Sequence, residues 1–371
     1  MHDTRRTTKP IGNWKNILRK LATAQESGLI MVIIFLMVAL TLFGGSTTQP
    51  VIDQQTGTVA RDVQGRPVRR DVNTFLNTRN LIQLANNASF IAVMAVGMTA
   101  VIVTAGIDLS VGSIYALAGI LAALIIQHMP PDSSALFAAA ALIAVACACG
   151  AILGLVNGAM IVGFRLHPFI ITLGTLSIYR GIAFLTTNGQ TISGLPDSIQ
   201  SDFFKQDFGL GVVHPTNTII MLIITLIGWA VLKWTVFGRR VFAVGGNETA
   251  ARYAGIPVGR VILLVYTLMG LLAGLSAAMA VGYFGSATTG AGQAYELRVI
   301  AVAVIGGASL AGGRGTAFGA VLGAIVIELI NNAISILNID NNYLLVVTGS
   351  AIVIAAAIDR IKQGVQARKG G

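Results

Sequence analysis

Ten apolar stretches run through this chain, separated by short polar or glycine-rich links. They are Gly28–Phe43, Leu81–Thr104, Val111–Gln127, Ala135–Val162, Pro168–Leu185, Asn217–Leu232, Val261–Val281, Val299–Ser309, Thr316–Leu337 and Tyr343–Ile358. About 20 apolar residues in a helix cross a hydrocarbon core of about 30 Å. Lipid offers no water to bond the main chain, and a helix satisfies its own amides and carbonyls. The expected fold is therefore an all-α polytopic membrane protein of about ten transmembrane helices. Val299–Ser309 is too short to cross comfortably; it reads as the end of a longer helix from Tyr295 or as a re-entrant piece. Only 11% of the residues are charged and 54% are hydrophobic. A soluble domain carries about one quarter charged residues, so the water-soluble classes are excluded.

Basic residues set the orientation. With the N-terminus inside and the spans alternating, most of the 25 Lys and Arg fall on the inner side, as short cytoplasmic loops favour. Both termini are then cytoplasmic: residues 1–27 precede a transmembrane domain over 28–359, and 360–371 form a tail. The net charge of +10 is a topology signal, and no nucleic-acid partner is expected. The first apolar run lacks a small-x-small cleavage site and reads as a retained helix. Cys147 and Cys149 sit two apart on one helix, point to different sides, and read as packing residues, neither a bridge nor a metal site.

Residues 44–75 form a polar external insertion, with turns expected near Gly57 and Gly65 and a small hairpin between. It is either a solvated loop or a docking surface, through Arg61, Arg66, Arg69 and Arg70, for an acidic external partner. Gly150, Gly154 and Gly158, like Gly315, Gly319 and Gly323, repeat every four residues, which lets helix backbones approach closely in lipid. The break "TAGIDLSVGSI" is echoed by "GGASLAGGRGTAF", which suggests a weak internal repeat. In the first break, Asp108 or Ser110 is placed to cap the next helix, where its positive end favours an acid. A ligand or proton role for Asp108 and a contact with a cytoplasmic partner are the other readings.

The inner loop over 234–260 is more ordered than a basic linker. Gly245 and Gly246 give a flexible lead-in, Asn247 is an N-cap, and Glu248 suits the first turn. "TAARYA" permits helix, Gly255 stops it and Pro257 prevents continuation. Small Ala250 and Ala251 permit close approach by a partner. The result is a short surface helix able to pass a push into the spans.

"FGRRVFAVGGNETAARYAGI" resembles the ATPase-coupling loop of sugar-importing ABC permeases of the ribose, xylose and galactoside type. "AVGMTAVIVTAGIDLSVGSI", "HPFIITLGTLSIYRGIAFLTTNG", "YELRVIAVAVIGGASLAGGRGT" and Asp359 match the family in order, over roughly Asn80 to Asp359. The resemblance implies a multi-pass permease of the bacterial inner membrane, paired with a second copy as a homodimer. It implies a cytoplasmic ABC ATPase below and a periplasmic sugar-binding protein above. It also implies that Gly245, Gly246, Asn247, Glu248, Ala250, Ala251, Arg252 and Gly255 couple to the ATPase. Arg298 stands where relatives usually carry an acid. No Lys is followed by Ser or Thr, so no GxxxxGK[ST] phosphate loop exists. The chain needs no cofactor of its own; ATP and Mg belong to the partner ATPase.

A sugar needs a wet path. On a wheel of about 100° per residue, Gly315, Gly319 and Gly323 face away from Glu328, Asn331 and Asn332. Gln83, Asn86 and Asn87 at the outer start of the second span are natural companions, and Thr172 and Thr175 are further candidates. Intramembrane Glu faces a cavity or a partner; Glu328 lines the path or pairs with Arg180 or Arg298. Thr172 and Thr175 could instead bond back to helix carbonyls. His167 before Pro168 suits the start of a helix. The competing function is an ion-coupled secondary carrier using Asp108 or Glu328. An intramembrane enzyme is not expected, because no metal or nucleophile motif is clustered.

Overall fold

The computed structural model describes residues 26–51, 59–130, 133–206, 214–340, 342–351, 353, 354 and 357. The N-terminal segment expected in the cytoplasm, up to residue 25, the expected 360–371 tail and the turn expected at Gly57 lie outside the described residues. Eleven helices are labelled: α1 (Ser27–Phe43), α2 (Thr78–Val103), α3 (Val111–Ile126), α4 (Ala135–Phe164), α5 (Pro168–Thr187), α6 (Thr216–Trp234), α7 (Val236–Gly246), α8 (Glu248–Tyr253), α9 (Val258–Phe284), α10 (Tyr295–Ile305) and α11 (Ala317–Ile336). Short helical turns at Asp197–Ile199 and Gln200–Phe204 precede α6.

Six of these, α2, α4, α5, α6, α9 and α11, are long and apolar enough to cross a membrane; α1 and α3 are shorter apolar helices. This is a mostly helical bundle of the polytopic membrane class. α10 has 11 residues, which at 1.5 Å each rise only about 16 Å. It begins at Tyr295, as one reading of the sequence expected, yet is too short to be a span. Local chemistry marks the helix starts. Asn77 Oδ1 accepts from the Asn80 amide at 2.9 Å, and Thr316 Oγ1 from the Gly319 amide at 2.9 Å. His167 Nδ1 accepts from the Phe169 amide at 3.3 Å, with Pro168 at the first helical position.

The centre of the bundle is α2 and α9 with α4 and α3 against them. α4 crosses α9 along its glycine row. A methyl on Gly150 would come within 2.2 Å of the Gly270 carbonyl oxygen, and one on Gly154 within 2.2 Å of that of Tyr266. The second glycine row, on α11, meets α10: a methyl on Gly323 would lie 2.2 Å from the Val302 carbonyl oxygen. These approaches place main chain on main chain, where dispersion and weak C–H contacts hold helices that the hydrophobic effect cannot drive together in lipid.

The polar insertion after α1 is a hairpin. β1 (Ser46–Pro50) pairs antiparallel with β2 (Arg69–Asn73), with Ser46 opposite Asn73 and Pro50 opposite Arg69. Arg61 bridges to Pro67, and Gly65 turns the tip with φ +76°. Asn73 Nδ2 donates to the Thr41 carbonyl at 2.8 Å and ties the hairpin to α1.

Candidate functional site

The segment over 234–260 folds as two helices rather than a loop. Asn247 caps α8, its Oδ1 accepting from the Ala250 amide at 2.9 Å. Glu248 and Arg252 pair across one turn at 2.6 Å, both well exposed, so the pair adds little stability. Gly255, with φ +77°, ends the helix where a Cβ would be strained. Ala251 is buried at 4% exposure while its neighbour Ala250 is exposed. One expectation is corrected: Gly245 and Gly246 are not a flexible lead-in. Both lie inside α7, and Gly245 is jammed. A methyl there would stand 1.5 Å from the Val103 carbonyl oxygen. The Gly313 amide donates to that same oxygen at 2.9 Å. Gly312, with φ +86°, packs so that a methyl would lie 2.5 Å from the Gly245 carbonyl oxygen. Thus the end of α7, the break after α2 and the break before α11 meet main chain to main chain.

Asp108 sits in the first of these breaks and is fully buried. Its Oδ1 accepts from the Ser110 amide at 2.8 Å and from Ser110 Oγ at 2.6 Å. The expected cap is therefore corrected: Ser110 holds the N-cap position of α3 with no side-chain bond to the first turn. Asp108 fixes the bend one step earlier by folding back onto Ser110. Ser110 Oγ also accepts from Asn157 Nδ2 at 2.7 Å, and Tyr179 Oη donates to Asn157 Oδ1 at 3.0 Å. Thr172 Oγ1 and Tyr266 Oη approach the Ile107 carbonyl at 3.2 and 3.3 Å. α4, α5 and α9 thus all hold the break. Asn157, Tyr179 and Tyr266 escaped the sequence reading; an Asn within a 30-residue apolar helix was the available signal for the first.

The polar residues expected on the path divide. Glu328, 5% exposed on α11, accepts at Oε1 from Asn87 Nδ2 at 3.1 Å and Asn331 Nδ2 at 3.2 Å. Gln83 Nε2 donates to Asn87 Oδ1 at 3.0 Å, and Tyr283 Oη of α9 donates to Gln83 Oε1 at 3.3 Å. Asn332 exchanges amide hydrogen bonds with Asn80 at 2.8 and 3.2 Å. These residues gather where the start of α2 meets the ends of α11 and α9. Asn86 points elsewhere: its Nδ2 donates to the His214 carbonyl at 2.6 Å, and Thr218 Oγ1 donates to its Oδ1 at 2.9 Å. Thr172 and Thr175 are buried on α5, bonded to main-chain carbonyls and apart from the Glu328 group. Arg180 does not pair with Glu328. Its Nη1 donates to the carbonyls of Thr289 and Ala291, both at 2.7 Å. Arg298 lies over the Tyr295 ring at 5.8 Å.

On the hairpin, Arg61, Arg66, Arg69 and Arg70 are all exposed. Arg66 is paired to Asp62 at 3.2 Å, so its charge is already met. The Arg66 amide first, then the Gln64 amide and the Arg66 guanidinium, hold the Asp62 carboxyl below its ordinary value. Arg61 turns inward to the Gly65 carbonyl at 2.8 Å, leaving Arg69 and Arg70 on β2.

Comparison with known proteins adds a second line of observation. A family described as branched-chain amino acid transport system, permease component, matches residues 80–356. The ribose import permease of Escherichia coli (strain K12) is 40% identical over 292 residues, 78% of this chain and 88% of that protein. The ribose import permease of Bacillus subtilis (strain 168) is 39% identical over 290 residues, 78% of this chain and 87% of that protein. The galactose/methyl galactoside import permease of Escherichia coli (strain K12) is 36% identical over 298 residues, 78% and 88% respectively. No solved structure matches.

Proposed function

The chain belongs to the family of branched-chain amino acid transport system permease components, and on that premise we propose that it imports a monosaccharide across the bacterial inner membrane. It is a transport subunit rather than an enzyme, and a separate ABC ATPase hydrolyses the ATP. Relatives are named for ribose, for D-allose and for galactose or methyl galactoside import, which sets the substrate class at a pentose or hexose. A periplasmic binding protein delivers the sugar and docks on the hairpin through Arg69 and Arg70, with Arg61 and Arg66 behind them. Two copies of the chain form the conducting unit as a homodimer.

The observation that carries the reading is the inner junction. A capped helix with Ala251 buried sits on a segment, α7, whose end has no side chain between it and two helix breaks. A push by the ATPase on Asn247, Glu248, Ala250 and Arg252 has a rigid route, through Gly245 and Gly246, into both breaks at once. Gly255 lets the chain turn back into α9. At the outer end Gln83, Asn87, Glu328 and Asn331, with Asn332 at the rim, line the path. Thr172, Thr175 and Asn86 serve the scaffold, because their polar atoms already bond main chain or Thr218.

The test is uptake of radiolabelled monosaccharides by proteoliposomes holding the permease, its ATPase and its binding protein. Uptake that requires ATP on the ATPase side and ignores ion gradients is expected. Uptake that follows a proton or sodium gradient without ATP would reinstate the ion-coupled carrier built on Asp108 or Glu328. Cross-linking of a cysteine placed on the permease's outer helices would report one copy or two.

A further inference from the structure

A cavity of about 440 Å³ lies between α3, the outer end of α9 and the link over 285–294. Its size falls in the range of small-molecule sites. Three rings wall it: Tyr115 of α3, Phe284 of α9 and Tyr295 at the start of α10. Tyr115 and Tyr295 stand 5.3 Å apart, tilted by 47°. Small residues of α3 and α9 leave the space, and Ser286 and Thr288 of the link supply hydroxyls.

Two facts point to a ligand. Tyr115 is only 6% exposed, yet its hydroxyl has no hydrogen bond with another described residue, and neither do those of Tyr295, Ser286 and Thr288. All four line the open space of the cavity, so each is left available to what enters it. Secondly, the link is held rigidly from behind. Arg180 binds the Thr289 and Ala291 carbonyls, and Ala287 exchanges main-chain hydrogen bonds with Ile192 at 2.8 and 2.9 Å. The scaffold fixes the link by its main chain and leaves its hydroxyl side chains unspent.

We infer that this cavity holds one monosaccharide in transit, its apolar ring face against Tyr115 and Tyr295 and its hydroxyls on Ser286, Thr288 and the two phenols. The inference rests on the reading of the chain as a monosaccharide importer and names a subsite within it. A lipid chain filling the same space would leave all four hydroxyls unpaired. Few polar groups on aromatic walls give the weak hold that passage needs, since a transit site must release what it takes. The end of α9 serves both places: Tyr283 reaches Gln83, and its neighbour Phe284 walls the cavity.

The experiment uses the complete transporter in proteoliposomes, with D-ribose, D-allose and D-galactose as probes in turn. Thr288→Trp, at an exposed position, fills the mouth and lowers ATP-driven uptake about tenfold or more, while ATPase activity and binding-protein docking persist. Tyr115→Phe and Ser286→Ala each lower it about two- to tenfold, the worth of one hydrogen bond. A Ser286→Cys variant lacking Cys147 and Cys149 is labelled by a charged methanethiosulfonate, and millimolar sugar that the transporter imports slows that labelling. Normal uptake by Thr288→Trp, with labelling of Ser286→Cys unaffected by sugar, overturns the subsite while the importer reading stands. Labelling blocked with or without sugar also overturns it, since lipid or a second copy would then fill the cavity. Absence of ATP-driven uptake of every probe by the unaltered protein overturns the importer reading itself, and the subsite with it.

Discussion

The two ends of this molecule are joined to the bundle in opposite ways. The hairpin is tied to α1 by the Asn73 side chain and stiffened within itself by side chains, Asp62 on Arg66 and Arg61 on the Gly65 carbonyl. The first is half-buried, and the other two are solvent-facing and worth little by themselves. The inner junction is held by main chain: Gly245, Val103 and Gly313 touch with no side chain between them. The first kind of joint tolerates substitution and yields gradually. The second transmits displacement without slack and fails outright when an atom is added. A surface that must recognise a partner suits the former, and a part that must carry force suits the latter.

The sharpest way to break that contrast is Gly245→Ala. Overpacking against main chain costs about 1–3 kcal/mol or more, and ATP-driven uptake should fall on the order of 100-fold. Gly246→Ala, whose added methyl meets nothing within 4 Å, should transport normally, so the pair separates loss of the joint from loss of the helix. Equal uptake by both variants would abolish the distinction between the two ends.

Next in size is Ala251→Leu, which enlarges the one buried side chain of α8. Uptake should drop about tenfold with the protein still present in the membrane; unchanged uptake would mean that α8 bears no load. Smaller again is Arg69→Gln with Arg70→Gln. Binding-protein affinity at low salt should weaken about fivefold and should barely change at 0.5 M salt, where exposed charges are screened. An equal loss at both salts would point to a packed rather than a charged contact.

The smallest effect is local. Asp62 titrates below its ordinary value because amides and Arg66 stabilise its charged form. The tip therefore keeps its full contribution above about pH 4, the ordinary carboxylate value, and loses it as pH falls through the depressed one. Protection of the Gln64 and Arg66 amides, relative to their intrinsic exchange at each pH, should fall on acidification, and Asp62→Asn should remove that dependence. A tip equally protected at all pH would show that its turn needs no ionic support.

What the sequence disclosed follows the same division. The α8 helix was readable because its signals are local: a cap at Asn247, an acid at Glu248, a stop at Gly255. The glycine rows were readable as contact faces, though not their partners. Gly245 was misread as flexible because its constraint comes from Val103 and Gly313, distant in sequence and adjacent only after folding. Asn86 and Asn87 looked alike for the same reason. They differ by one helical step of about 100°, and only the positions of Thr218 and Glu328 decide which joins the Glu328 group. Asp108 was placed correctly at a break, but its partner proved to be Ser110 itself rather than the amides of the following turn. The 285–294 link gave no signal, because its hydroxyls acquire meaning only beside Tyr115.

The crossing of α4 over α9 has its own consequence. Helices slide past one another by letting side chains ratchet between neighbouring grooves, and at Gly150 and Gly270 there are none to ratchet. What keeps α4 and α9 together is therefore main-chain contact itself, and a bulkier residue at Gly150 or Gly270 would prise apart the backbone pair on which the other helices lean.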